Sequence, residues 1–159
     1  AHDSKSKAAN LNCIIEEIST DYTVIYDADH HPDAKSLRIM VNQLISESAD
    51  CIQGSTYIRR EGLNFMGMLI DADFFYTFFL ILPALSAVAS TGLFCGSNAV
   101  WRTSFLHTQP FHTTVQTEDI EFSIRALFRN AKINFSPQSR SGELAPASFG
   151  SFYKQRLRW

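Results

Sequence analysis

A chain of 159 residues is long enough for one domain with a buried core and too short for two. With 45% hydrophobic and 19% charged residues, seven glycines and five prolines, it is neither disordered nor collagen-like. Lys and Arg number 14 against 16 Asp and Glu, a formal charge of -2, so the basic surplus of a nucleic-acid reader is missing and no nucleic-acid partner is expected.

The first ten residues, AHDSKSKAAN, hold no apolar run, so no signal peptide is expected and the chain reads as starting inside a larger protein. Leu11, Ile14, Ile15 and Ile18 recur at helical spacing and predict a helix over 7–18, with Ser4 or Ser6 as its cap. Residues 22–26 (YTVIY) are β-branched and aromatic, which suits a buried strand. Leu37, Met40, Val41, Leu44 and Ile45 mark a second helix entered through Pro32-Asp33. Residues 50–58 (DCIQGSTYI) read as another strand, and two strands joined by a helix predict a right-handed parallel crossover.

The chain holds 13 Phe, and from Phe74 to Ala89 it reads FFYTFFLILPALSAVA without a charge. That run is short of the roughly 20 apolar residues of a membrane span, so an amphipathic or interfacial helix is expected. LFCGSNAVW follows as a small-residue turn entering a strand. Thr117-Glu118-Asp119 opens a helix whose Ile120, Ile124, Leu127 and Phe128 fall on one apolar face, and 132–135 reads as a short strand. Pro146 fits the first turn of a last helix with Phe149, Phe152, Tyr153 and Leu157 on its apolar side. The class is α/β. Cys13, Cys51 and Cys95 are odd in number and without metal-type spacing, which favours a reducing, cytosol-facing compartment.

Asp27-Ala28-Asp29 follows the YTVIY strand, at the carboxyl end where open α/β sheets place ligands. In an extended segment both carboxylates would point one way, as hard oxygen donors for Mg²⁺ or Mn²⁺. By pattern alone the pair fits a metal site and a solvated turn equally. Asp71-Ala72-Asp73 is a second copy without a preceding strand, expected to be a decoy, and His30-His31 is expected to be a plain loop pair. Thr117-Glu118-Asp119 fits a plain helix start better than a catalytic carboxylate when taken by itself. Gln155, Arg158 and Trp159 share one helix stripe that combines an amide, a guanidinium suited to phosphate and an indole suited to a sugar ring. Chance gives Gln-x-x-Arg-Trp in under about 1% of chains this long.

The order D-x-D, T-E-D, Q-x-x-R-W resembles the catalytic domain of family 2 inverting glycosyltransferases, in the membrane polysaccharide-synthase branch of cellulose, chitin, hyaluronan and poly-N-acetylglucosamine synthases. The resemblance runs from residues 6–12 (SKAANLN) to Trp159, and includes a cellulose-synthase-like F-C-G-S loop at 94–97. It implies a Rossmann-like, GT-A-type fold, with residues 1–159 as the central and C-terminal part of a catalytic domain. It also implies roles. Asp27 and Asp29 would hold the metal (Mg²⁺ or Mn²⁺) and the nucleotide diphosphate; Lys7, Gln155 and Arg158 would lie on the donor side. Asp119 would be the general base, with Glu118 beside it; Phe94, Cys95, Gly96, Ser97 and Trp159 would border the acceptor. Gln53-Gly54-Ser55 departs from the Q-T-P of many cellulose synthases, and Ala9 replaces a usual glycine.

The implied activity is inverting transfer from a UDP-sugar to a saccharide or growing glycan, giving a β-linked polysaccharide. UDP-glucose leads from the F-C-G-S loop, followed by UDP-N-acetylglucosamine and then GDP-mannose. The implied setting is a multi-pass membrane protein whose catalytic domain faces the cytoplasm, anchored by helices outside this sequence. A metal-dependent hydrolase would not need the Gln/Arg/Trp stripe, and a non-catalytic carbohydrate-binding module would not need paired carboxylates after a strand.

Overall fold

The computed structural model describes residues 6–59, 65–146 and 148–157. Helix α1 (Lys7–Glu17) starts at Ser6, whose hydroxyl accepts from the Ala9 N–H, and leads into β1 (Tyr22–Ile25). A two-residue strand β2 (His31–Pro32), helix α2 (Ser36–Ser46) and strand β3 (Cys51–Ile58) follow. After a long helical stretch come β4 (Ala99–Arg102), α5 (Thr103–Thr108), α6 (Glu118–Phe128), β5 (Ile133–Glu143) and α7 (Phe149–Arg156).

The sheet order is β1-β4-β3-β5-β2, with β4 antiparallel to both neighbours and β3 parallel to β5. The expected crossover is therefore corrected in one respect. β1 and β3 do run in the same direction, but β4 lies between them. The strand at 132–135 extends to Glu143, with residues 137–139 outside the β3 pairing, where Pro137 has no N–H to give.

The sheet is buried on both faces. On one side Cys51, Ala99, Trp101 and Ile133 pack with Ala8, Ile15, Phe94, Phe111, Phe122 and Ala126 from the flanking helices and loops. On the other, Ile52 and Val100 meet Met40 and Leu44 of α2. Helix α6 turns a different face inward from the one expected. Phe122, Ser123 and Ala126 are buried and Leu127, of the four expected residues, packs against the core, while Ile120, Ile124 and Phe128 are exposed. Two smaller groups permit a close approach here. The Ser123 hydroxyl accepts from the Phe94 N–H at 2.9 Å, and Phe122 stacks on Phe111 with centroids 4.1 Å apart. Helix α7 also departs from expectation: Ser148, not the Pro146 turn, caps it, and Phe149, Tyr153 and Leu157 are exposed while Phe152 packs inward.

The Phe-rich region is one continuous helical stretch: α3 (Phe65–Phe75), a π segment (Tyr76–Ile81) and α4 (Leu82–Ala89). Ile70, Phe74, Phe78 and Leu82 pack on Ile58 and Phe135. A spacing of four drifts by about 40° per step in a 3.6-residue helix, and the wider π turn between Phe74 and Leu82 offsets that drift. Pro83, which cannot donate, sits at the start of the resumed α-helix. Among the described residues this is the one helix long and apolar enough to cross a membrane, and only 28% of its most apolar window is buried. Phe65, Met68, Leu69, Phe75, Tyr76, Leu80, Ile81 and Val88 face outward.

Candidate functional site

The inserted antiparallel strand is what assembles the site. Because β4 runs against β1, its first residue Ala99 sits opposite Ile25, the last of β1. The glycine loop before β4 therefore lies beside the aspartates after β1. The Ser97 hydroxyl accepts from the Asp27 N–H at 2.8 Å. Lys7, in the first turn of α1, donates to the Gly96 carbonyl at 3.0 Å and forms an ion pair with the Asp27 carboxylate. A cavity of about 800 Å³ opens here, lined by Lys7, Asp27, Asp29, His30, Asp73, Cys95, Gly96, Ser97, Glu118, Asp119, Glu143, Gln155 and Arg156, among others. Its size suits a small-molecule site. A smaller hollow near the start of β1, around Asp21, Tyr22 and His107, contains none of the candidate residues.

Asp119 enters from the N-terminus of α6, where the helix dipole favours a carboxylate. The Ile120 N–H donates to its Oδ1 at 2.8 Å. Its Oδ2 lies against Gly96, which has φ +85 and no room for a side chain. Burial, and then the charge of Asp119, push the Cys95 thiol up to about 12. That sulfur is a neutral wall group rather than a nucleophile.

Several expectations are corrected. Asp27-Ala28-Asp29 is not extended: the His30 N–H donates to the Asp27 carbonyl at 3.1 Å, closing a turn. The two aspartates share the cavity because the turn brings them there, not because of strand alternation. Phe94, expected beside the acceptor, does not line the cavity. It is fully buried, edge-on to Trp101 and Phe122, in the core. The second D-x-D is not wholly a decoy, since Asp73 lines the cavity and pairs with Arg156 of α7. The histidines are not a plain loop pair either. His31 is exposed on β2, whereas the His30 side chain is 4% exposed, with its ring nitrogens 3.0 Å from Ser141 Oγ and 3.1 Å from Glu143 Oε2.

Gln155 lines the cavity from α7. Arg158 and Trp159, the rest of that stripe, lie outside the described residues. Asp73, Arg156, Glu143 and the inward His30 were missed by sequence reasoning. His30 carried a local signal, as the residue after D-x-D. Glu143 carried none, because the pairing of His31 with Gly142 between β2 and β5 is what brings it close.

The electrostatics suggest what could occupy this space. Asp27, Asp29, Asp73, Glu118, Asp119 and Glu143 face it, against the fixed cations Lys7 and Arg156 among the described residues. A diphosphate entering so acidic a cavity requires a positive counter-charge. Asp27 and Asp29 offer hard oxygens, and no described group of three His, Cys, Asp or Glu is arranged to hold a metal by itself. Two carboxylates completed by phosphate oxygens and water is the usual Mg²⁺ arrangement, so these residues fit a divalent ion carried with a diphosphate.

Comparison with known proteins bears on the whole assembly. Residues 22–159 match the family model described as glycosyl transferase family group 2. The chain is 28% identical over 141 residues to glucomannan 4-beta-mannosyltransferase 7 of Arabidopsis thaliana, covering 87% of this chain and 25% of that protein. It is 23% identical over 159 residues to poly-beta-1,6-N-acetyl-D-glucosamine synthase of Staphylococcus aureus, covering 99% of this chain and 38% of the synthase. The chain thus spans well under half the length of these relatives. Among solved structures, a mannosyltransferase from Pyrobaculum calidifontis in complex with GDP-Man and Mn²⁺ superposes with a TM-score of 0.68 at 20% identity, over 98% of this chain and 40% of that one. Glucosyl-3-phosphoglycerate synthase from Mycobacterium tuberculosis, with Mn²⁺, UDP and glucosyl-3-phosphoglycerate, gives 0.62 at 15% identity, over 98% and 51%. The expected GT-A-type α/β architecture, present as a partial domain, is borne out.

Proposed function

Because the chain belongs to glycosyl transferase family group 2, we propose that it is the central and C-terminal part of a catalytic domain that transfers a sugar from a nucleotide-sugar donor to a saccharide, with inversion. The observation that carries this is the gathering of Lys7, Asp27, Asp29, Glu118, Asp119 and Gln155 around one cavity from separate elements.

The chemistry needs a base for the incoming hydroxyl and compensation for charge on the departing diphosphate. Asp119 takes the proton from the acceptor hydroxyl. The hydroxyl oxygen bonds to the anomeric carbon as the bond from that carbon to the diphosphate oxygen breaks, so an α-linked donor gives a β-linked product. Glu118 sits beside the base. Asp27 and Asp29 hold Mg²⁺ or Mn²⁺, which when bound supplies positive charge to the diphosphate. Lys7, Gln155 and Arg158 serve the donor side; Cys95, Gly96, Ser97 and Trp159 border the acceptor.

UDP-glucose is the first donor to test, on the F-C-G-S loop. The two relatives add a mannosyl and an N-acetylglucosaminyl donor as alternatives. The outward Phe, Leu and Ile residues of the 65–89 helical stretch rest on the membrane, in a multi-pass protein whose catalytic domain faces the cytoplasm. The growing glycan leaves along that face.

Membranes containing the full-length protein, given radiolabelled UDP-glucose, UDP-N-acetylglucosamine and GDP-mannose separately, test this reading. Label should pass from one of them into a β-linked saccharide. Donor hydrolysis without transfer, or an α-linked product, would overturn it.

A further inference from the structure

We propose that Gln53 is a positioning residue for the reaction, its buried amide fixing the 95–98 loop and thereby the placement of Lys7, Asp27 and Asp119 relative to one another. The inference rests on the transferase reading above, but its structural half does not.

Gln53 stands where the β-ladder ends. Pairing between β3 and β4 stops at Gln53 opposite Ala99. Before Ala99 the chain leaves extended geometry, with φ +85 at Gly96 and φ 50 at Asn98. The backbone groups of 95–97 then have no strand to pair with, although the segment is mostly buried. Buried peptide groups need partners. The fully buried side chain of Gln53 supplies them by imitating a peptide unit. Its Oε1 accepts from the Cys95 N–H at 2.8 Å, and its Nε2 donates to the Ser97 carbonyl at 2.9 Å. The same Nε2 lies 2.9 Å from the Gly54 carbonyl and 3.3 Å from that of Asn98.

What that loop touches gives the amide its consequence. The Gly96 carbonyl accepts from Lys7, the Ser97 hydroxyl accepts from the Asp27 N–H, and the Gly96 α-carbon abuts Asp119. One side chain outside the cavity lining thus sets the geometry of three charged groups inside it. Gly54 belongs to the same device, since a Cβ there would come within 2.5 Å of Asn98 Nδ2, the group that donates to the Ser55 carbonyl.

A matched control exists in Gln109, also buried, whose Nε2 donates to the Phe122 carbonyl away from the loop. The experiment compares Gln53→Met, Gln53→Asn and Gln109→Met in the full-length protein. Gln53→Asn keeps an amide but pulls it back by one methylene from Cys95 and Ser97 without burying a charge, so it serves as the milder variant should Gln53→Met fail to fold. All three should lose thermal stability. In the folded Gln53 variants alone, amide hydrogen exchange across 26–29 and 95–98 should rise at least tenfold, and sugar transfer per folded molecule should fall at least tenfold. Gln109→Met should stay within twofold of wild type in both. Unchanged exchange in the two segments, or equal loss of turnover in Gln53→Met and Gln109→Met, would overturn the proposal. A wild-type protein that transfers no sugar would refute the transferase reading, and exchange would then decide the role of Gln53 by itself.

Discussion

Asp119 and Gly96 fit each other so closely that a Cβ built on the glycine would lie 2.6 Å from Asp119 Oδ2 and 3.3 Å from its Cβ. The glycine also has φ +85, where an L side chain adds strain of about 1–3 kcal/mol. Gly96→Ala must therefore move the carboxylate, the loop or both. Transfer should fall by about 10²-fold, the usual consequence of displacing a reacting group by about 1 Å. Transfer rate beside thermal unfolding checks this, and near-normal turnover in a folded Gly96→Ala protein would show the contact to be dispensable.

The two D-x-D copies should behave differently. Asp27→Ala and Asp29→Ala should each remove most divalent-metal-dependent nucleotide affinity by calorimetry, whereas Asp71→Ala should leave it intact. Asp73→Asn should act mildly, because its ion pair with Arg156 is partly solvated and such pairs contribute about 0.2–1 kcal/mol. A loss of less than about fivefold in transfer follows, through a loosened α7. Equal collapse of nucleotide binding at both copies would contradict the assignment of the metal to the first.

Which parts of this were legible follows from how local each signal is. Ser6, Leu11 and Ile15 mark α1 within one short window, and the helix starts where they place it. The insertion of β4 between β1 and β3 is a long-range pairing that no window around YTVIY contains. On α6 the sequence offers two stripes, and the larger apolar residues Ile120, Ile124 and Phe128 point to the wrong one. The close approach that Ser123 and Ala126 allow decides the core face instead. In the site, T-E-D and D-x-D point to Asp119 and Asp27, which line one cavity. Motif membership could not separate Phe94, which packs the core, from Gly96, which meets Asp119. Gln53 is the matching first residue of a segment whose Gly54-Ser55 depart from the pattern, and its hydrogen bonds span 42 and 44 positions to Cys95 and Ser97, beyond any local reading.

Cys95 should resist alkylation. With its thiol pushed up to about 12 by burial and by Asp119, the thiolate at pH 8 is on the order of 10⁻⁴ of the total. Iodoacetamide labelling followed by mass spectrometry should find Cys95 essentially unmodified in the folded protein. Asp119→Asn should speed its labelling, since removing a neighbouring negative charge favours the thiolate. Rapid labelling in wild type, or no change in Asp119→Asn, would contradict the proximity of the two groups.

If Asp119 is the base acting on a sugar acceptor, binding and transfer separate in Asp119→Asn. The amide keeps the shape of the side chain but cannot take the proton, and losing a positioned base costs about 10²–10⁴-fold. In membranes containing the full-length protein, Asp119→Asn should bind the donor nucleotide within a few-fold of wild type while transfer of labelled sugar falls at least a hundredfold. A folded Asp119→Asn protein that transfers sugar at a near-normal rate would remove Asp119 from the role of base.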